Sequence, residues 1–213
     1  GVTVETAATD DHGPGAHNGR AGRGALREEG ATRHYFAKRT DFYKWSPSFA
    51  RWIQRAARVY DLLHLHALFS FTTTAASQAA RYHGIPYVVR PLGTLDAWGL
   101  AQRRPWLKRA SLRFIETPLL REAAAVHFTS DDEANQAAAL GVPMRTAVIP
   151  LGIELPAPSS RSGSVDGAVR ALYLSRLTPK KNVEGLLDAF AQVRNELPQL
   201  QLTIAGDGEA QYT

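Results

Sequence analysis

The sequence predicts an α/β protein built on parallel strands, and three stretches carry that prediction. Asp61-Leu62-Leu63-His64-Leu65-His66 reads as a compact buried strand, a helix follows from about Phe71 to Tyr82 and stops at Gly84, and Pro86 to Arg90 reads as the next strand. Strand, helix and strand within about thirty residues make the βαβ unit of a parallel sheet. Ala123 to Thr129 is a further apolar strand. Ser130-Asp131-Asp132-Glu133 then forms a capping box that starts a helix ending near Gly141, and Thr146 to Ile149 returns as a strand. Near the carboxyl end, Ala171 to Leu174 is a short strand. Val183, Leu186, Leu187 and Phe190 follow at helical spacing, and Leu200 to Ala205 closes a second strand–helix–strand run.

Composition bounds the function classes. The chain has 213 residues, 44% hydrophobic and 21% charged, which is an ordinary globular balance and enough for one full domain plus part of another. No apolar run approaches the roughly 18 residues that a membrane span needs. The absence of cysteine excludes disulfides and thiolate metal sites and fits a reducing cytoplasm. A formal charge of +5 favours anionic partners, whether phosphates, nucleic acid or acidic lipid, without choosing among them.

Taken in order, Gly1 to Ala7 reads as a strand. Asp10 to Gly30 is rich in Gly, Asp, Asn, His and Arg without apolar periodicity and is expected to be a long exposed loop. His12, His17, Asp10 and Asp11 lie in it without a ligand spacing, so no metal is assigned. Thr32 to Phe36 is a short strand. Ser46-Pro47 is a helix start, a capping serine with proline at the first helical position. Phe49, Trp52, Ile53, Ala56, Ala57 and Tyr60 then mark an apolar face, with Arg51, Arg55 and Arg58 on another. His64 and His66, two apart on a strand, share a face, and His66 stands at the strand's carboxyl end, where a cleft residue belongs. From Trp98 to Leu120, Arg103, Arg104, Lys108, Arg109 and Arg113 interleave with Trp106, Leu107, Leu112, Phe114 and Ile115, offset only by Glu116. The expected arrangement buries the apolar stripe in the domain, and contact with an anionic membrane surface is the alternative. Glu154 to Asp166 is rich in Pro, Ser and Gly and reads as a crossing between domains, which places the boundaries at 1–153, 154–168 and 169–213.

The most informative stretch is Ala171-Leu-Tyr-Leu-Ser-Arg-Leu-Thr-Pro-Lys-Lys-Asn182. It sets Arg176 just beyond a strand's carboxyl end and Lys180 and Lys181 at a helix start whose N–H groups already carry partial positive charge. A doubly charged anion between them removes the conflict, because helix starts bind phosphates and ligands of open α/β sheets lie beyond strand carboxyl ends. Solvated surface lysines are the plainer reading.

S-R-L-T-P-K-K-N, followed by V-E-G-L-L-D-A-F and L-T-I-A-G-D-G-E, resembles the donor-site signature of glycosyltransferase family 4, the retaining group 1 enzymes of the GT-B fold. Arg90-Pro91-Leu92-Gly93-Thr94-Leu95-Asp96-Ala97-Trp98 is similar to a subgroup's R-P-x-G-x-L-D-x-W loop, with Leu92 where many relatives carry a histidine. The resemblance implies two doubly wound α/β domains: an N-terminal acceptor-side domain, lacking its first strand here, and the first βαβ unit of a nucleotide-sugar domain. It implies transfer of a hexose from a nucleoside diphosphate sugar to a glycan or lipid-linked acceptor hydroxyl with retention, in polysaccharide biosynthesis and without cofactor or metal. Arg176 and Lys181 would bind the donor diphosphate, and Gly206 and Gly208 would let backbone approach the donor. His66, Arg90, Gly93 and Asp96 would line the acceptor side, although Asp96 has an equally good local role as a helix cap. The family's acidic pair falls beyond Thr213, so the chain as it stands is expected to be inactive. The expected location is the cytoplasm, with peripheral contact at the inner membrane face left open. Three other readings stand beside this one: a nucleotide-sugar epimerase of the same fold, a basic binding module without catalysis, and a partner subunit that has kept the fold and lost activity.

Overall fold

The computed structural model describes residues 1–213 apart from positions 14, 29, 102–103, 156–167 and 209–213. Its first strand, β1 (Glu5–Thr9), starts later than the apolar run Gly1 to Val4 implies. It pairs in parallel with β3 (Ala31–Phe36), and β2 (Ala25–Glu28) adds antiparallel on the other side of β3. The segment expected to be a long exposed loop therefore holds a strand and, ahead of it, a clasp. Lys38, 2% exposed at its side chain, donates from Nζ to Asp11 Oδ1 (2.7 Å), Asp41 Oδ1 (2.6 Å) and the Gly13 carbonyl (2.6 Å). Asp10 accepts from the Lys38 amide and pairs with His17. A buried ammonium must be matched by acceptors, and Asp11, Gly13 and Asp41 supply them. The acids that looked like stray metal ligands are committed to this ion cluster.

Ser46 caps α1 (Pro47–Ala56) by accepting from the Phe49 amide, as the Ser-Pro pair implies. Phe49 and Ile53 enter the core, while Trp52 packs among Phe36, Phe49 and His34.

A four-stranded, all-parallel sheet follows in the order β4 (Leu63–His66), β5 (Tyr87–Arg90), β6 (Ala125–Phe128) and β7 (Thr146–Val148). Between β4 and β5 runs α2 (Phe71–His83), which ends at Gly84. Leu63 and Leu65 point into the core with Tyr87, Val89, Val126 and Phe128, and the alternation leaves His64 and His66 together on the opposite face.

The crossover from β5 to β6 is built from α3 (Ala97–Ala101), α4 (Pro105–Ser111), a π turn at Leu112–Glu116 and α5 (Thr117–Glu122). The apolar stripe expected to be buried here divides. Leu112, Leu119 and Leu120 pack on the core, but Trp106 (69% exposed) and Phe114 (73%) face outward. α6 (Asp131–Ala138) leads from β6 to β7.

The chain divides into two units, Gly1–Gly152 and Ile153–Thr213. The second contains β8 (Val169–Leu174), a 3-10 turn at Pro179–Lys181, α7 (Val183–Arg194) and β9 (Leu200–Ala205), with β8 and β9 parallel over six residue pairs. Among its described residues none is fully buried.

Candidate functional site

In the first unit the expected site residues gather at the carboxyl ends of β4, β5 and β6. His66 lies opposite Arg90 in the register, and Arg90 comes one step after the Val89–Val126 pair, which brings His127 beside it. His64 is 4.5 Å from His66 and 5.6 Å from His127, ring centre to ring centre. A carbonyl only accepts, so His127 donates from Nε2 to Ile149 O (2.8 Å), which fixes its proton. Desolvation, then the neighbouring imidazoles and Arg90, push the His64 and His66 imidazoles below their ordinary values. Arg90 Nε is buried without a hydrogen-bond partner among the described residues. His127 was not singled out by its sequence, because its place beside Arg90 depends on the β5–β6 register.

The loop after β5 turns through two consecutive left-handed residues, Leu92 (φ 60) and Gly93 (φ 69). Leucine there is strained and glycine is not. The turn is held by Glu133: Oε1 accepts from the Gly93 amide (2.8 Å), and Oε2 accepts from the amide (2.9 Å) and hydroxyl (3.1 Å) of Thr129. Burial opposes ionisation of Glu133, but these donors and the charge of Arg90 outweigh it and hold the carboxyl below the usual range. The S-x-x-E motif thus does more than cap α6, since it ties two strand-end loops together. Asp96 accepts from the Gly99 amide at the start of α3, the local role its position allowed.

Behind this edge lies Glu116, fully buried on the π turn. Its Oε1 accepts from Tyr43 Oη (2.8 Å), Ser111 Oγ (3.1 Å) and the Phe69 amide (3.2 Å), whereas Oε2 has no partner among the described residues. Desolvation raises its pKa over the opposing effect of those donors. Tyr43 (φ 57) and Phe69 (φ 56) are both left-handed, so the carboxyl pins two strained loops next to the end of β4.

In the second unit the loops after β8 and β9 lie edge to edge. Ser175 N donates to Ala205 O (3.2 Å), Leu177 N donates to Asp207 O (2.9 Å), and Leu177 bridges to Gly208. A methyl group on Gly206 would overlap the Ser175 carbonyl, and one on Gly208 would overlap that of Leu177. These glycines let one loop approach the other. Arg176 sits exposed between the two anchored residues. Tyr173 Oη donates to Lys181 O (3.2 Å) and pins the 3-10 turn, while Asn182, itself left-handed (φ 47), accepts from Gly185 N (3.3 Å) and caps α7. A side chain on Gly185 would collide with that cap. Among the described residues no ion pair engages Arg176 or Lys181.

A model of the glycosyl transferase 4-like domain matches residues 1–152. The chain belongs to this glycosyltransferase family. A second model, of group 1 glycosyl transferases, matches residues 159–213, the unit that carries Arg176 and Lys181. Alpha-monoglucosyldiacylglycerol synthase of Streptococcus pneumoniae is 38% identical over 80 residues, covering 32% of this chain and 18% of its own length. Among solved structures, sucrose-phosphate synthase of Thermosynechococcus elongatus aligns with TM-score 0.64 at 20% identity, over 98% of this chain and 53% of its own. HepE of Anabaena, solved with UDP and glucose, aligns with TM-score 0.58 at 22% identity, over 84% of this chain and 49% of its own. The fold is that of the GT-B glycosyltransferases, and the chain spans about half the length of these solved relatives.

Proposed function

We propose that the protein moves a hexose from a nucleoside diphosphate sugar to a hydroxyl of a glycan or lipid-linked acceptor, with retained anomeric configuration, in polysaccharide biosynthesis on the cytoplasmic side. One observation carries the reading: Arg176 and Lys181 flank paired strand ends and a capped helix start, and no carboxylate among the described residues takes their charge. A diphosphate matches that charge. As the bond from the anomeric carbon to the diphosphate oxygen lengthens, negative charge grows on the leaving group. Guanidinium, ammonium and helix start stabilise it there, so the reading requires no metal ion. HepE, whose crystals hold UDP and glucose, supports a uridine nucleotide as the first donor to try. His66, Arg90 and the Glu133-held turn at Gly93 form the proposed acceptor side.

Calorimetry of UDP and GDP binding to the intact protein tests this. Arg176→Ala and Lys181→Ala are each expected to weaken binding by about 1.5–3 kcal/mol, the range for hydrogen bonds to charged groups. Unchanged affinity in both variants overturns the assignment. Turnover that needs no acceptor and inverts the sugar at C2 would move the protein to the epimerases of the same fold.

A further inference from the structure

The stretch between Asp96 and Glu116 contains Arg103, Arg104, Lys108, Arg109 and Arg113 and no acid. Its five positive charges equal the net charge of the whole chain, +5, so the other twenty cations are balanced by the twenty acids. On α4 and the π turn the charges are sorted by face. Lys108 is tied inward, donating to Gly99 O (2.5 Å), and Leu112 packs on the core. Trp106, Arg109, Ala110, Arg113 and Phe114 are exposed at i, i+3, i+4, i+7 and i+8, a single outward stripe of aromatic and cationic side chains around one small residue. The π turn directs Glu116 into the core, where its three donors fix how the helix is rotated about its axis. The outward direction of the stripe is therefore built in. Next to it, Arg104 stacks over Phe42, which is 61% exposed (5.9 Å to the ring centre), and Arg113 lies over Phe114.

We infer that this stripe docks the protein on an anionic membrane surface. Charge complementarity names the occupant. A row of arginines without acids needs a dense anionic plane, and aromatic rings interleaved with it seat at the headgroup level while the guanidinium groups stay with the phosphates. Among the described residues no helix is long and apolar enough to cross a membrane, so the contact lies along the surface. A single-stranded nucleic acid would also meet the charge, but it is bound in a groove that tracks its backbone, whereas this stripe is the convex outer face of a helix. The inference goes beyond the sugar-transfer reading. Its test reads lipid binding and nucleotide binding separately, so one can fail while the other stands.

The experiment is co-sedimentation of the intact protein with vesicles of pure phosphatidylcholine and of phosphatidylcholine containing 30% phosphatidylglycerol. Binding is expected on the anionic vesicles and at least tenfold weaker on the neutral ones. Each arginine lost is expected to reduce affinity about fivefold, so the double variant R109E/R113E should release the protein. W106S/F114S should weaken binding about tenfold with the charge intact. R51E/R55E, which removes the same charge from the basic face of α1, should bind as the unaltered protein does. UDP affinity in all three is expected to stay within twofold, and an unfolding midpoint in urea equal to that of the unaltered protein reports that they fold. Equal binding to both vesicle types, retention by both stripe variants, equal loss in the α1 variant, or capture by single-stranded RNA in preference to anionic vesicles each overturns the inference.

Discussion

The two units present strand carboxyl ends in opposite electrostatic states. In the first, the strand-end loops are held by partners inside the protein: Glu133 serves Gly93 and Thr129, Asp96 serves Gly99, and His127 serves Ile149. In the second, the backbone is equally well tied, but Arg176 and Lys181 are left without a carboxylate among the described residues. One edge is a rigid wall and the other is a charged socket. On the reading proposed above, the partnered groups of the first unit hold its strand-end loops in place, and the cations of the second are left for a ligand.

The largest expected effect tests the wall. Glu116→Ala leaves the Tyr43 and Ser111 hydroxyls and the Phe69 amide without their acceptor, and should cost about 3 kcal/mol of unfolding free energy in urea titration. UDP affinity should move less than twofold. If stability holds and affinity falls, the two units do not divide the work in this way. Because burial raises the Glu116 pKa above its ordinary value of 4.5, its contribution is complete below that pH and is lost as pH rises through the folded value.

Next comes the socket. Gly208→Val forces the loop after β9 away from the Leu177 carbonyl and should lower UDP affinity by about 2 kcal/mol, as overpacking of a closed contact does. Calorimetry on the intact protein checks it, and an unaltered affinity would show that the loop pairing does not hold the site.

The smallest effect is a pH dependence of the wall. His64 and His66 are held below their ordinary value of 6.5 by desolvation and by their cationic neighbours. The unfolded chain then binds more protons than the folded one, so their contribution is present above pH 6.5 and is lost as pH falls through the folded values. Unfolding free energy should drop between pH 7.5 and 5.5, and the double variant H64Q/H66Q should flatten the slope. A slope that the variant leaves unchanged would remove the histidine row from the account.

Legibility in the sequence followed the range of the interaction. The Ser46-Pro47 start, the 71–83 helix, the β4 and β5 strands and the cationic loop at 176–181 were all readable, because caps, hydrophobic period and charge spacing act within one turn or one strand. The clasp around Lys38 was not, since its partners Asp11 and Asp41 lie on separate segments and nothing local distinguishes them from solvated loop acids. Glu133 read as a cap alone, because Gly93 is forty residues away in the chain. Glu116 read as a lone offset to five cations until the π turn carried it inward.

The amino-acid order alone determined the βαβ units, the family signature and the place of Arg176 and Lys181 at a strand end and a helix start, because each rests on neighbours within a few positions. Only the tertiary structure decided which charges are matched and which are not. Partnering depends on groups brought together from distant parts of the chain, and burial decides how much an unmatched charge costs.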